Sequence, residues 1–91
     1  MYIYIIGSDK SPYKIGFSKT PQDRLKSLQT GNFNKLNIYY TEEISESKVK
    51  FIEKQIHNNL RHRRVKGEWF NINLEEAILE VKYCRMKYEE A

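Results

Sequence analysis

Glu53, His57 and Arg61 recur at four-residue steps within Val49 to Phe70, V-K-F-I-E-K-Q-I-H-N-N-L-R-H-R-R-V-K-G-E-W-F. On a helix that spacing stacks a carboxylate, an imidazole and a guanidinium in one line. A second line runs beside it: Val49, Ile52, Ile56 and Leu60, at steps of three, four and four, form the buried stripe of an α-helix. Arg63, Arg64 and Lys66 follow. A charged row at the margin of a core, trailed by cations, suits an anionic ligand.

The remaining chain has to bring partners to that helix. Residues 1–6, M-Y-I-Y-I-I, are β-branched and aromatic and read as a strand ended by Gly7. After the turn G-S-D-K-S-P, Y-K-I-G-F-S reads as a second strand, so residues 1–18 are expected to form a hairpin. The two-residue period puts Tyr2, Tyr4 and Ile6 on one face, and Lys14 and Gly16 on one face of the second strand. Glycine inside a strand costs stability, so Gly16 is expected to leave room for something close to the backbone.

Thr20 and Pro21 open a first helix, with Leu25 and Leu28 facing inward, Arg24 near its first turn and Gly31 at its end. A third strand is expected over about Leu36 to Glu42. Ser45 or Ser47 then caps the long helix, which should run to about His62. R-R-V-K-G reads as a basic exit loop and E-W-F-N-I as a short extended piece. Asn73 caps a last helix with an apolar stripe of Leu74, Ala77, Ile78, Val81 and Tyr88. The order β-β-α-β-α, then a last helix, predicts an α+β fold: a small three-stranded antiparallel sheet with helices over one face. Trp69 and Phe70 read as core rather than as base-stacking platforms, and Cys84 as a small buried hydrophobe.

A chain of 91 residues is read as one domain, with a core over 1–72 and a C-terminal helix over about 73–89. It buries roughly 60–65% of its unfolded surface, enough for a shallow site suited to a polymer but not for a deep cavity. Sixteen Lys and Arg against twelve Asp and Glu give a net charge of +4, compatible with a nucleic-acid partner. The single Cys84 excludes an internal disulfide and a cysteine-built zinc site. With no apolar run of membrane length and no signal-peptide pattern, a soluble, intracellular, cytoplasmic protein is expected.

These residues resemble the GIY-YIG endonuclease superfamily. Tyr2-Ile3-Tyr4 looks like its first box, with Tyr2 where Gly is usual, and Lys14-Ile15-Gly16 like its second, with Lys where Tyr is usual. Arg24 and Glu53 stand in the superfamily's order. The match tightens for a phage and bacterial branch described as DNA-binding or as similar to a meiotically up-regulated gene product. Its pattern K-I-G-x-S-x-x-P-x-x-R-L-x-x-L-Q-T-G-N runs from Lys14 to Asn32, and its E-x-x-x-H and G-E-W-F fall at Glu53, His57 and Gly67 to Phe70. Asn71 and Asn73 are candidates for an asparagine that other branches carry after the glutamate helix.

The resemblance implies a metal-dependent endonuclease hydrolysing DNA, with Tyr4, Lys14, Arg24, Glu53 and His57 as catalytic residues. Glu53 would hold Mg²⁺ or Mn²⁺, and Arg24 would fix the scissile phosphate. Tyr4 would orient or deprotonate the water. Lys14 would bind phosphate or act as a base, and His57 would be a second ligand or a proton carrier. Arg61, Arg63, Arg64 and Lys66 would contact the DNA backbone. A DNA-binding module with little or no cleavage is the alternative, followed by a protein-interaction or inhibitor domain. A homodimer or a recruiting protein partner could supply specificity.

Overall fold

The computed structural model describes residues 1–89; the last two residues of the expected 1–91 domain lie outside the described residues. Strands β1 (Tyr2–Gly7) and β2 (Tyr13–Ser18) form the expected antiparallel hairpin, with Tyr4 opposite Gly16 and Ile6 opposite Lys14. Strand β3 (Asn37–Glu43) pairs antiparallel with the other side of β1, with a register shift between Ile5 and Ile6.

The sheet has five strands among the described residues, not three. The basic exit loop and the extended piece are themselves a hairpin, β4 (Arg64–Lys66) and β5 (Trp69–Phe70), turned on Gly67 at φ +56°. β5 joins β2 through Tyr13 opposite Phe70 and Lys14 opposite Trp69, giving the order β3-β1-β2-β5-β4. Strands of three and two residues carry too little alternation to show as a period. All of β4 is exposed, so its sequence reads as a polar loop. Its Arg64 and Lys66 also suit an edge strand, where cations discourage pairing with another chain.

Helices cover both faces, which corrects the one-face expectation. Helix α1 (Pro21–Gln29) sets Leu25 and Leu28 against Tyr4, Ile6 and Leu36. Helices α2 (Val49–Asn59) and α3 (Leu74–Glu89) pack against Ile3, Ile5 and Ile15 on the opposite face. The strand period sorts these sets: alternate β1 residues are apolar on both sides because both sides are covered. The α2 stripe of Val49, Ile52, Ile56 and Leu60 is buried as expected, and so is Cys84.

Three helix ends differ from expectation. Thr20 occupies the N-cap of α1 without a side-chain bond; its carbonyl accepts the Asp23 and Arg24 amides at 3.0 and 3.2 Å. Helix α2 begins after Lys48, because the Ser45 carbonyl rather than a serine hydroxyl receives the first amides. It stops at Asn59, where the chain tightens into a 3₁₀ turn, Arg61–Arg63, that feeds β4. Asn73 does cap α3: its Oδ1 accepts the Glu76 amide at 2.8 Å, and its Nδ2 donates to Glu76 Oε1 at 2.7 Å. Asn73→Ala is expected to lower stability by about 1 kcal/mol in urea unfolding. An unchanged midpoint would assign the helix start to packing alone.

Candidate functional site

Gly16 marks the place where side chains from four elements meet. A Cβ there would lie 2.6 Å from Tyr4 Cζ and 3.0 Å from Glu68 Oε1. The missing side chain is therefore what lets the phenol and the carboxyl come together over β2. Tyr4 is 1% exposed, and burial pushes its pKa up; the Arg24 guanidinium beside the phenol opposes that only in part. Arg24 reaches in from the first turn of α1, in the position set by the Thr20-Pro21 start.

Ile15 is the joint that holds the opposite wall. Its amide donates to the Glu68 carbonyl at 3.0 Å, which fixes the approach to β5. Its carbonyl accepts from His57 Nε2 at 2.7 Å, which fixes α2. The carbonyl can only accept, so Nε2 carries the proton and Nδ1 is the other tautomeric nitrogen. The His57 ring packs 5.0 Å from that of Phe70, and burial pulls its pKa down, the bond to Ile15 opposing.

Lys14 is nearly buried and lies 3.0 Å from Glu68 Oε1, with its ammonium 5.8 Å from the centre of the Trp69 ring. Glu53, one turn before His57, has its carboxyl pushed up to about 7, first by burial and then by the charge of Glu68, with Lys14 opposing. Its Oε2 is buried without a hydrogen-bond partner. That orphaned oxygen is satisfied by a proton or by a cation.

Glu53 and His57 line an open groove of about 660 Å³ along α2, with Lys50, Lys54, Arg61 and Arg64 as its cationic rim. The basic run expected to act together is thus divided. Arg61 and Arg64 face the groove, whereas Arg63 is tied to the Asn71 carbonyl at 3.3 Å and to Glu76 at 3.6 Å. Lys66 lies along a different cleft, beside Trp69. Asn71 accepts from Ser11 at 2.8 Å and Asn73 caps α3, which gives both structural partners.

Tyr4, Lys14, Arg24 and Glu53 are brought together, and Glu68 is the residue through which they communicate. Glu68 is a site residue that the sequence expectations do not include, although it stands in the G-E-W-F box. Lys50 and Lys54 also line the groove, and their four-residue spacing, continued by Asn58, is the sequence signal that marks them as a further line on α2. Among the described residues, no group of three His, Cys, Asp or Glu side chains is arranged to hold a metal ion. Any ion here would rest on one carboxylate and water, an arrangement Mg²⁺ accepts because it keeps most of its hydration shell.

A family model described as the T5orf172 domain matches residues 1–85. The chain belongs to that family. T5orf172 domains are phage-associated and nuclease-like, which gives this chain a nuclease or DNA-binding role in general and implies DNA as its partner. No curated protein and no solved structure matches the chain. No helix of this T5orf172 domain is long and apolar enough, among the described residues, to cross a membrane.

Proposed function

We propose that this T5orf172 domain is a metal-dependent endonuclease that hydrolyses DNA phosphodiester bonds through a GIY-YIG-type site. The observation that carries the reading is Glu53: a buried carboxylate oxygen without a donor, in a groove rimmed by four cations and next to a buried tyrosine. Glu53 fits Mg²⁺ or Mn²⁺, and the ion would supply neutralisation of charge on the phosphoryl oxygens.

The chain's own groups divide the remaining work. Arg24 forks onto two phosphate oxygens and holds the scissile group against the β1–β2 surface. The raised pKa of Tyr4 makes it a neutral phenol at physiological pH, so it orients the attacking water by hydrogen bonding rather than deprotonating it. Lys14, fixed by Glu68, presents a positive charge beside the same phosphate. His57 anchors α2 and so positions Glu53; Nδ1 is its nitrogen for carrying a proton. Lys50, Lys54, Arg61 and Arg64 take the flanking backbone, and a second copy or a recruiting protein adds specificity.

Supercoiled plasmid incubated with Mg²⁺ or Mn²⁺ is expected to be nicked, and EDTA is expected to stop the reaction. Arg24→Lys keeps the charge but loses the fork, and should slow cleavage by roughly 10- to 100-fold. Lys14 is already committed to Glu68, and this favours the second reading, a DNA-binding module that cleaves little. Tight binding that weakens steeply with salt, without nicking under either metal, would establish that reading instead.

A further inference from the structure

The segment L-Q-T-G-N-F-N, Leu28 to Asn34, runs from the end of α1 into the following loop; it has no part in the chemistry above, yet it is heavily tied. The Gln29 side chain donates to the carbonyls of Asn32 and Asn34 at 3.2 and 2.9 Å and accepts the Leu36 amide at 2.7 Å. The Asn32 amide donates to the Gln29 carbonyl at 3.1 Å, and the Asn34 amide to Asn32 Oδ1 at 3.0 Å. This framework holds Phe33 wholly in solvent, at 108% relative exposure. A phenyl ring held out by five hydrogen bonds is preorganised for a surface that will cover it.

Beside it lies a cleft of about 290 Å³. Asn32, Asn34 and Lys66 are among its lining residues, and Trp69 and Leu36 contribute apolar surface. That size suits one flat ring system, being at the small end of ligand sites. Its chemistry is a π surface for stacking, amides that match the edge of a base, and a cation for phosphate. Through Trp69 the cleft adjoins Lys14, and through Lys14 the proposed phosphate position.

We infer that this cleft receives an unpaired nucleobase of the DNA strand, and that Phe33 is the wedge that keeps the base out of the stack. The inference rests on the DNA-binding reading and adds a substrate class to it: duplex with a bulged, mismatched or single-stranded base beside the bound phosphate. Inserted apolar side chains commonly hold steps apart in this way.

Trp69 is the only tryptophan, so its fluorescence reports on the cleft. The full chain in EDTA is titrated with a duplex carrying one central bulged base and with the same duplex fully paired. The bulged duplex should quench Trp69 and bind about tenfold tighter. Phe33→Ala touches no packed residue and should remove most of that preference while leaving affinity for the paired duplex unchanged; Phe33→Tyr should keep it. Equal affinity for both duplexes, absence of quenching, or a preference that survives Phe33→Ala would overturn the inference and leave the DNA-binding reading standing. Failure to bind either duplex at low salt would overturn both.

Discussion

Glu53→Gln is expected to abolish cleavage and, at neutral pH, to make the protein more stable. The activity effect follows from the proposed role: a neutral amide holds Mg²⁺ far more weakly than a carboxylate, so the rate should fall by about 10³-fold or more. The stability effect follows from burial. The unfolded chain ionises this carboxyl at the ordinary value of 4.5, and the folded chain at about 7. The fold therefore favours the protonated form: that contribution is complete below 4.5 and is lost as the pH rises through 7. Glutamine resembles the protonated acid at every pH. Because part of Glu53 reaches solvent, the gain above neutrality is discounted to roughly 1–2 kcal/mol.

Urea unfolding at pH 4, 7 and 8.5 should show the two proteins converging in acid and separating in base. Added Mg²⁺ should raise the wild-type midpoint by mass action and leave the variant's unchanged. Cleavage by the variant within tenfold of wild type would remove Glu53 from the site. Unchanged stability would mean that the groove stays hydrated around the carboxylate.

Gly16→Ala should damage both fold and site. Two opposing effects are involved. Alanine in a strand gains about 0.5–1 kcal/mol by narrowing the unfolded ensemble. Against that, the new methyl would lie 2.6 Å from Tyr4 Cζ, a ring atom of a residue 1% exposed, and 3.0 Å from the Glu68 carboxyl. Glu68 can swing away; the Tyr4 ring has no such freedom. Overpacking of this kind costs about 1–3 kcal/mol, so a net loss of about 1–2 kcal/mol is expected. Displacing the phenol by even an ångström should lower cleavage by about 10²-fold. The new methyl would also meet the Tyr4 hydroxyl, so Tyr4→Phe in the same background removes one of the two clashing atoms and should recover part of the stability without recovering activity. A stable, active Gly16→Ala protein would show that the glycine is not what assembles the site.

The sequence was informative where one residue type had one physical use. The β-branched run of β1, the Pro21 start, the α2 stripe and the Asn73 cap each follow from local chemistry, and each stands in the structure, Thr20 and the serines apart as side-chain caps. The α2 line of Glu53 and His57 was legible for the same reason, since helical spacing fixes neighbours. What stayed hidden depended on pairing between distant segments. β5 is a strand because Tyr13 and Lys14 offer it an edge, and β4 because β5 offers the next, so nothing in R-R-V-K-G announces one. Glu68 likewise has no local signature; its importance arises from standing over Gly16, 52 positions earlier in the chain. The basic run is uniform along the chain, while the turn at Arg61–Arg63 and the β4 edge distribute its charge around the molecule.

On the proposed reading, the β4–β5 hairpin concentrates recognition in few residues. Arg64 borders the groove, Lys66 and Trp69 the cleft, and Glu68 the junction between them, and the hairpin meets β2 at Phe70, Trp69 and Glu68. Arg64, Val65, Lys66 and Gly67 are all exposed, so their replacement leaves the β1–β3 framework untouched. On that same reading, substrate preference is exchangeable as a cassette: replacing residues 64–67 is expected to retarget the molecule while Tyr4, Arg24 and Glu53 stay in register.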